Sequence, residues 1–114
     1  LRASDLVVSG PSTVLIDAAI FETPLLAVAF DESPKNYYRG IKRYYDYLHI
    51  KKLIDLGGIN VADNKIEFIT LVRKILSGGS GVPSGGEKVI SAYDPFMDGK
   101  SANRLARVII QALK

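Results

Sequence analysis

The stretch Asp5-Leu6-Val7-Val8-Ser9-Gly10-Pro11-Ser12-Thr13 decides how the chain reads. Asp5 to Ser9 is a short apolar run of the kind found in parallel strands covered on both faces. Gly10 breaks that run, and Pro11, Ser12 and Thr13 are residue types that open a helix: proline has no N–H to waste in a first turn, and hydroxyls accept from the unpaired N–H groups there. Strand, glycine and helix start in that order present bare N–H groups and the positive end of a helix dipole to an anion, typically a phosphate. The expectation is a phosphorylated ligand held at this turn.

Outward from the turn, Val14, Leu15, Ala18, Ala19 and Phe21 recur at helical spacing until Thr23-Pro24 stops them. Leu25 to Phe30 reads as a second buried strand, closed by Asp31-Glu32. Ser33-Pro34 reads as N-cap and N1 of a helix rich in Tyr, Lys and Arg, bent at Gly40, that continues to Leu56 and stops at Gly57-Gly58. Ile59 to Ala62 is a third strand, and Asp63 or Asn64 caps a helix with the apolar face Ile66, Ile69, Leu71, Val72, Ile75 and Leu76. Residues 77–86, nearly all Gly, Ser and Pro, read as a flexible loop; they follow a helix, which argues against a phosphate loop. Glu87 to Tyr93 is a short helix before Pro95, and Ser101 caps a last amphipathic helix through Leu105, Ile109, Ile110 and Leu113.

Alternating strands and helices predict an α/β fold: a Rossmann-like parallel sheet with right-handed crossovers and helices on both faces, formed by residues 1–114 as one domain. Ligands collect beyond the carboxyl ends of such strands. The Ser9–Thr13, Asp31–Ser33 and Ala62–Asn64 turns share that edge. Three strands are few for such a sheet, so the chain reads as a fragment of a longer two-domain protein.

The 114 residues, 47% hydrophobic, suffice for a core, and no apolar run approaches the roughly 18 residues of a membrane span. The absence of cysteine excludes disulfides and thiolate chemistry. A net charge of +3, with Lys and Arg dispersed, fits attraction to an anionic small ligand better than a nucleic-acid platform.

Among the side chains, Asp17 lies one turn after Thr13 on the same helix face, placed to accept ribose hydroxyls. Asp31 and Glu32 end a strand on the ligand edge, where short polar residues grip sugar hydroxyls. Lys35, Asn36 and Arg39 follow them and read as a solvated basic face. The run of Tyr37, Tyr38, Tyr44, Tyr45 and Tyr47 with Arg39, Lys42 and Arg43 reads as half-buried packing rather than a base-stacking platform. His49 is the single histidine, so no histidine-rich metal site can be built. Gly10-Pro11-Ser12 lacks the glycine flanking of a nucleophile elbow, which argues against a self-contained hydrolase.

The segment from Ala3 through Asp5-Leu6-Val7-Val8-Ser9-Gly10-Pro11-Ser12-Thr13 to Ile16-Asp17-Ala18-Ala19 and Thr23-Pro24-Leu25 resembles the C-terminal, donor-binding half of GT-B glycosyltransferases. It is most similar to the CDP-glycerol glycerophosphotransferase and surface-polysaccharide transferase groups, and more distantly to the undecaprenyl-linked N-acetylglucosamine transferase and the UDP-N-acetylglucosamine 2-epimerase. The similarity runs best from Ala3 to Asp31 and weakly through Gly57-Gly58 to Asp98-Gly99-Lys100-Ser101-Ala102-Asn103-Arg104.

The resemblance implies that Gly10, Ser12 and Thr13 hold a donor diphosphate, Asp17 the ribose, and Asp31 with Glu32 the transferred sugar or glycerol-phosphate group. It further implies no metal and no cofactor, a missing N-terminal domain that supplies the acceptor site and the catalytic base, and a fragment inactive alone. A cytoplasmic location, peripheral at the membrane in the longer protein, goes with it. The alternatives are a nucleotide-sugar 2-epimerase half, with much the same donor site, and a non-catalytic α/β partner-binding module.

Overall fold

The computed structural model describes residues 1, 3–78, 86–93 and 95–113. Three parallel strands, β1 (Val7–Ser9), β2 (Leu25–Val28) and β3 (Asn60–Ala62), form a sheet in the order β1-β2-β3. Val7 pairs with Leu25 and Ala27 with Val61. Six helices are described: α1 (Val14–Ile20), α2 (Lys42–Tyr45), α3 (Leu48–Asp55), α4 (Lys65–Leu76), α5 (Gly86–Tyr93) and α6 (Ser101–Ala112). The chain is thus α/β with a Rossmann-like parallel sheet, as its alternation of elements predicts.

Residues of β2 alternate between two cores, as the two-residue period of a strand requires. Leu25 and Ala27 join Val7, Leu15, Ala18, Leu53, Ile59 and Val89 on the side of α1, α3 and α5. Leu26 joins Ala62 and Ile75 on the side of α4, with Phe30, Phe68, Leu71 and Val72 packed around them. Crossovers of constant hand that add strands in one direction put their helices on one face, which is where α1 and α3 lie. The opposite face is covered by α4 only beside β2 and β3, and Val8 of β1 is left 46% exposed there. No described helix is long and apolar enough to cross a membrane.

The ends of α3 and α4 follow their local signals. Gly57 takes φ +75°, the left-handed stop after α3 that only glycine adopts without strain. At the start of α4, Asn64 Oδ1 accepts the Glu67 N–H at 2.9 Å while Glu67 Oε2 accepts the Asp63 N–H at 2.9 Å, a reciprocal cap whose return bond reaches one residue further back than in a capping box.

Four expectations need correction. The helix expected from Ser33-Pro34 to Leu56 starts only after Gly40, and extended backbone at Tyr47 (φ −66°, ψ 131°) divides it into α2 and α3. The Asp31 carboxylate takes the Ile41 N–H at 2.9 Å, which starts the helix there and leaves residues 33–40 outside any helix. On α4 the sheet-facing set is Phe68, Leu71, Val72 and Ile75, whereas Ile66, Ile69 and Leu76 face outward. At α6 the N-cap is Lys100, not Ser101, and Asp98 ties down that end by accepting the Lys100 N–H and both hydrogen bonds from Arg104 Nη1. Of the loop expected over 77–86, residues 79–85 lie outside the described residues, and Gly86 already belongs to α5.

Gly86 is where α5 crosses α1 most closely: a Cβ there would stand 2.7 Å from the Ala19 carbonyl oxygen. Backbone cannot yield as a side-chain tip can, so the helices would have to separate. Gly86→Ala is expected to destabilise the fold by about 1–3 kcal/mol, read as a lower urea midpoint; an unchanged midpoint would contradict this packing.

Candidate functional site

The carboxyl ends of the three strands bring the Gly10–Thr13 turn, Asp31-Glu32 and Asp63-Asn64 to one edge of the sheet. In the first of these, the Ser12 carbonyl accepts the Leu15 N–H at 3.1 Å and the Thr13 carbonyl accepts from Ile16 and Asp17. Ser12 Oγ accepts the Val14 N–H at 3.3 Å. Among the described residues no protein acceptor receives the N–H groups of Gly10, Ser12 or Thr13. Such unpaired donors at the mouth of a helix need water or an anion. Because α1 has 7 residues, its dipole is short and the N–H groups themselves are the main attraction. Asp17 is exposed one turn further on, and its carboxylate has no hydrogen-bond or ion-pair partner among the described residues.

Gly10 also serves packing within the protein, since a Cβ there would meet Ile41 Cδ1 at 3.4 Å. Ile41 is the residue whose N–H is held by Asp31 Oδ2, so the β1 turn, the start of α2 and the end of β2 are coupled through one side chain. The other oxygen, Asp31 Oδ1, accepts from Lys35 Nζ at 3.0 Å. These partners, the Ile41 N–H first and then Lys35, hold the Asp31 carboxyl below the usual carboxylate range. Gly40 is needed beside it, because a Cβ there would approach Asp31 Oδ2 to 3.1 Å. Asp31 thus positions its loop, while Glu32 stands exposed with no ion-pair partner among the described residues.

Two clefts open on this edge. One, about 260 Å³, lies between Phe30, Asp31 and the turn residues Pro34, Asn36 and Tyr37. The other, about 540 Å³, lies between the β2 and β3 ends and is lined by Phe30, Asp31, Glu32, Asp63, Lys65 and Phe68. Phe30 and Phe68 meet edge to face there, ring centres 6.3 Å apart. No described group of three or more His, Asp or Glu side chains is arranged to hold a metal ion.

The tyrosines divide by role. Tyr45 donates to the Val28 carbonyl at 2.7 Å, and burial, with the Asp63 charge adding to it, pushes its phenol up to about 12. Tyr37 donates to Asp46 at 2.8 Å, Arg43 lies 4.5 Å from the Tyr44 ring centre, and Tyr38 is exposed. Lys35 and Asn36 are used internally, Asn36 Oδ1 accepting the Arg39 N–H at 3.0 Å. His49 is exposed beside Tyr47, and its carbonyl accepts from Tyr93. Asp98 to Ser101 is occupied in starting α6.

Sequence reasoning missed Ile41, and it placed the Ala62–Asn64 turn on the ligand edge without reading the wall formed by Asp63, Lys65 and Phe68. The first had no local signal, because its contacts with Gly10 and Asp31 are long-range. The second had one: Asp63-Asn64-Lys65 directly follows a strand on the ligand edge. No family model matches the chain, and neither the curated proteins nor the solved structures contain a match to it.

Because the folded-state pKa of Asp31 is depressed, the stability it contributes is present above the ordinary carboxylate pKa and is lost as pH falls through the depressed one. Asp31→Asn is expected to flatten the acid limb of the stability curve and to speed hydrogen exchange at the Ile41 amide. Unchanged exchange at Ile41 would show that the carboxylate does not hold the loop.

Proposed function

We propose that this chain is the donor-binding half of a GT-B glycosyltransferase or glycerophosphotransferase, holding a nucleotide-diphosphate-linked sugar or glycerol group without a metal. The observation that carries the reading is the set of N–H groups at Gly10, Ser12 and Thr13, without protein acceptors among the described residues and on the same strand edge as Asp31 and Glu32. Fixed donors aimed at a diphosphate stabilise the charge that builds on it as the bond to the transferred group breaks, and they need no reorganisation to do so. The hydroxyls of Ser12 and Thr13 add donors at the same turn. Asp17 takes the ribose, and Glu32, held in place by the Asp31 loop, faces the transferred group.

Acceptor and catalytic base come from a partner domain of the same polypeptide. Two uncovered apolar surfaces support that: Val8 on β1, and the face of α6 bearing Leu105, Val108, Ile109 and Leu113, at least half exposed in α6. A cytoplasmic location, peripheral to a membrane in the longer protein, accords with a nucleotide-activated donor.

The test is an NMR titration of the chain with UDP, CDP and CMP. Shifts are expected at Gly10, Ser12, Thr13 and Asp17 for at least one nucleotide, with Asp17→Ala weakening it by about 1–3 kcal/mol, the scale of a hydrogen bond to a charged group. A silent titration of a folded sample would refute the reading, and equal affinity in the Asp17→Ala chain would remove the ribose role.

A further inference from the structure

Positive charge is concentrated in one stretch of the chain. Residues 35–52 hold the six cations Lys35, Arg39, Lys42, Arg43, Lys51 and Lys52 against one carboxylate, Asp46, a net +5 in a chain whose total is +3, so the remainder is net negative. Three of the six are engaged: Lys35 with Asp31 at 3.0 Å, Lys42 with Asp63 at 3.9 Å, and Arg43 with the Tyr44 hydroxyl at 2.7 Å. Arg39, Lys51 and Lys52 are exposed and have no ion-pair partner among the described residues.

The same stretch exposes aromatic and apolar side chains. Tyr38 is 76% and Leu48 69% exposed, and Tyr37, Tyr44 and Tyr47 are exposed with them. They form one patch: Tyr37 meets Tyr38 edge to face and donates to Asp46 just after α2, and Tyr44 meets Tyr47 across the α2–α3 junction, ring centres 5.6 Å apart in each pair. Leu48, Lys51 and Lys52 follow at the spacing that puts them on one side of α3, opposite the buried Ile50 and Leu53.

Exposed tyrosines, an exposed leucine and unpaired cations on one surface suit a layer of anionic headgroups. Tyrosine settles at the boundary between membrane and water, an apolar side chain enters the acyl edge, and Lys and Arg meet lipid phosphates. Single-stranded nucleic acid fits the geometry less well, because stacking needs open ring faces. Here the paired rings stand at 83° and 78°, each pair covering a face with an edge, and Arg43 lies 4.5 Å from the Tyr44 ring centre.

We propose that this surface of residues 37–52 docks on an anionic lipid bilayer, with Leu48 and the tyrosines at headgroup depth and Arg39, Lys51 and Lys52 against lipid phosphates. It rests on the reading above for a membrane-peripheral location alone, and assigns that location to a surface separate from the α6 face that serves the partner domain.

The experiment sediments the whole chain with vesicles of phosphatidylcholine alone or of phosphatidylcholine mixed with phosphatidylglycerol, and records NMR line broadening from a spin-labelled lipid. Binding is expected only where phosphatidylglycerol is present, and is expected to weaken as salt rises. Arg39→Gln and Lys51→Gln are each expected to weaken it about fivefold, the scale for one cation near an anionic surface. The same charge removed from the exposed Lys74 of α4, as Lys74→Gln, is expected to leave it unchanged. Broadening is expected at Tyr38, Tyr47 and Leu48. Equal binding to both vesicles, an equal loss in Lys74→Gln, or broadening confined to Leu105 and Ile109 of α6 would overturn the proposal. So would a chain that binds a single-stranded oligonucleotide and ignores vesicles. Absence of vesicle binding beside UDP-induced shifts at Gly10 and Asp17 would overturn this proposal and leave the donor reading standing, whereas vesicle binding as expected beside a silent nucleotide titration would do the reverse.

Discussion

Burial of β2 on both faces is the constraint from which the rest of the structure follows. Leu25, Leu26 and Ala27 are each at most 2% exposed, with consecutive side chains entering opposite cores. A strand so placed needs a neighbour on each edge and helices above and below it. With parallel pairing on both sides, the three carboxyl ends emerge together. Small residues permit the close layering: Ala18 and Ala19 of α1 and Ala27 of β2 are buried in one core, and Gly86 lets α5 approach the Ala19 carbonyl.

At that shared edge, one carboxylate does most of the organising. Asp31 leaves the end of β2, receives the first N–H of the α2 segment and a lysine four residues ahead, and so lays Ile41 against Gly10. The carboxylate expected to contact a ligand shapes the loop between two clefts and lines both of them. Its neighbour Glu32 is exposed and has no ion-pair partner among the described residues.

What could be read from the chain divides by the range of the forces involved. The strands were legible because uninterrupted apolar runs bounded by Gly, Pro and Asp have few other solutions, and the Asn64–Glu67 cap is a purely local exchange. The 33–56 region was misread because Ser33-Pro34 is a good local helix start, yet the winning acceptor for the Ile41 N–H lies ten positions back. On α4, periodicity supplied more apolar residues than one sheet face can cover, and it could not tell which side would meet Leu26; Ile66 proved 80% exposed. The Gly10–Thr13 turn was visible as residue types, whereas the second cleft required β2 and β3 to be placed side by side.

Among the described residues the backbone donors at Gly10, Ser12 and Thr13 have no protein acceptor, which leaves them open to an anion. Amide hydrogen exchange at these three positions, measured with and without inorganic pyrophosphate, tests it most directly. Fast exchange in the free chain and marked slowing with pyrophosphate are expected. Strong protection in the free chain, or exchange indifferent to the anion, would contradict it.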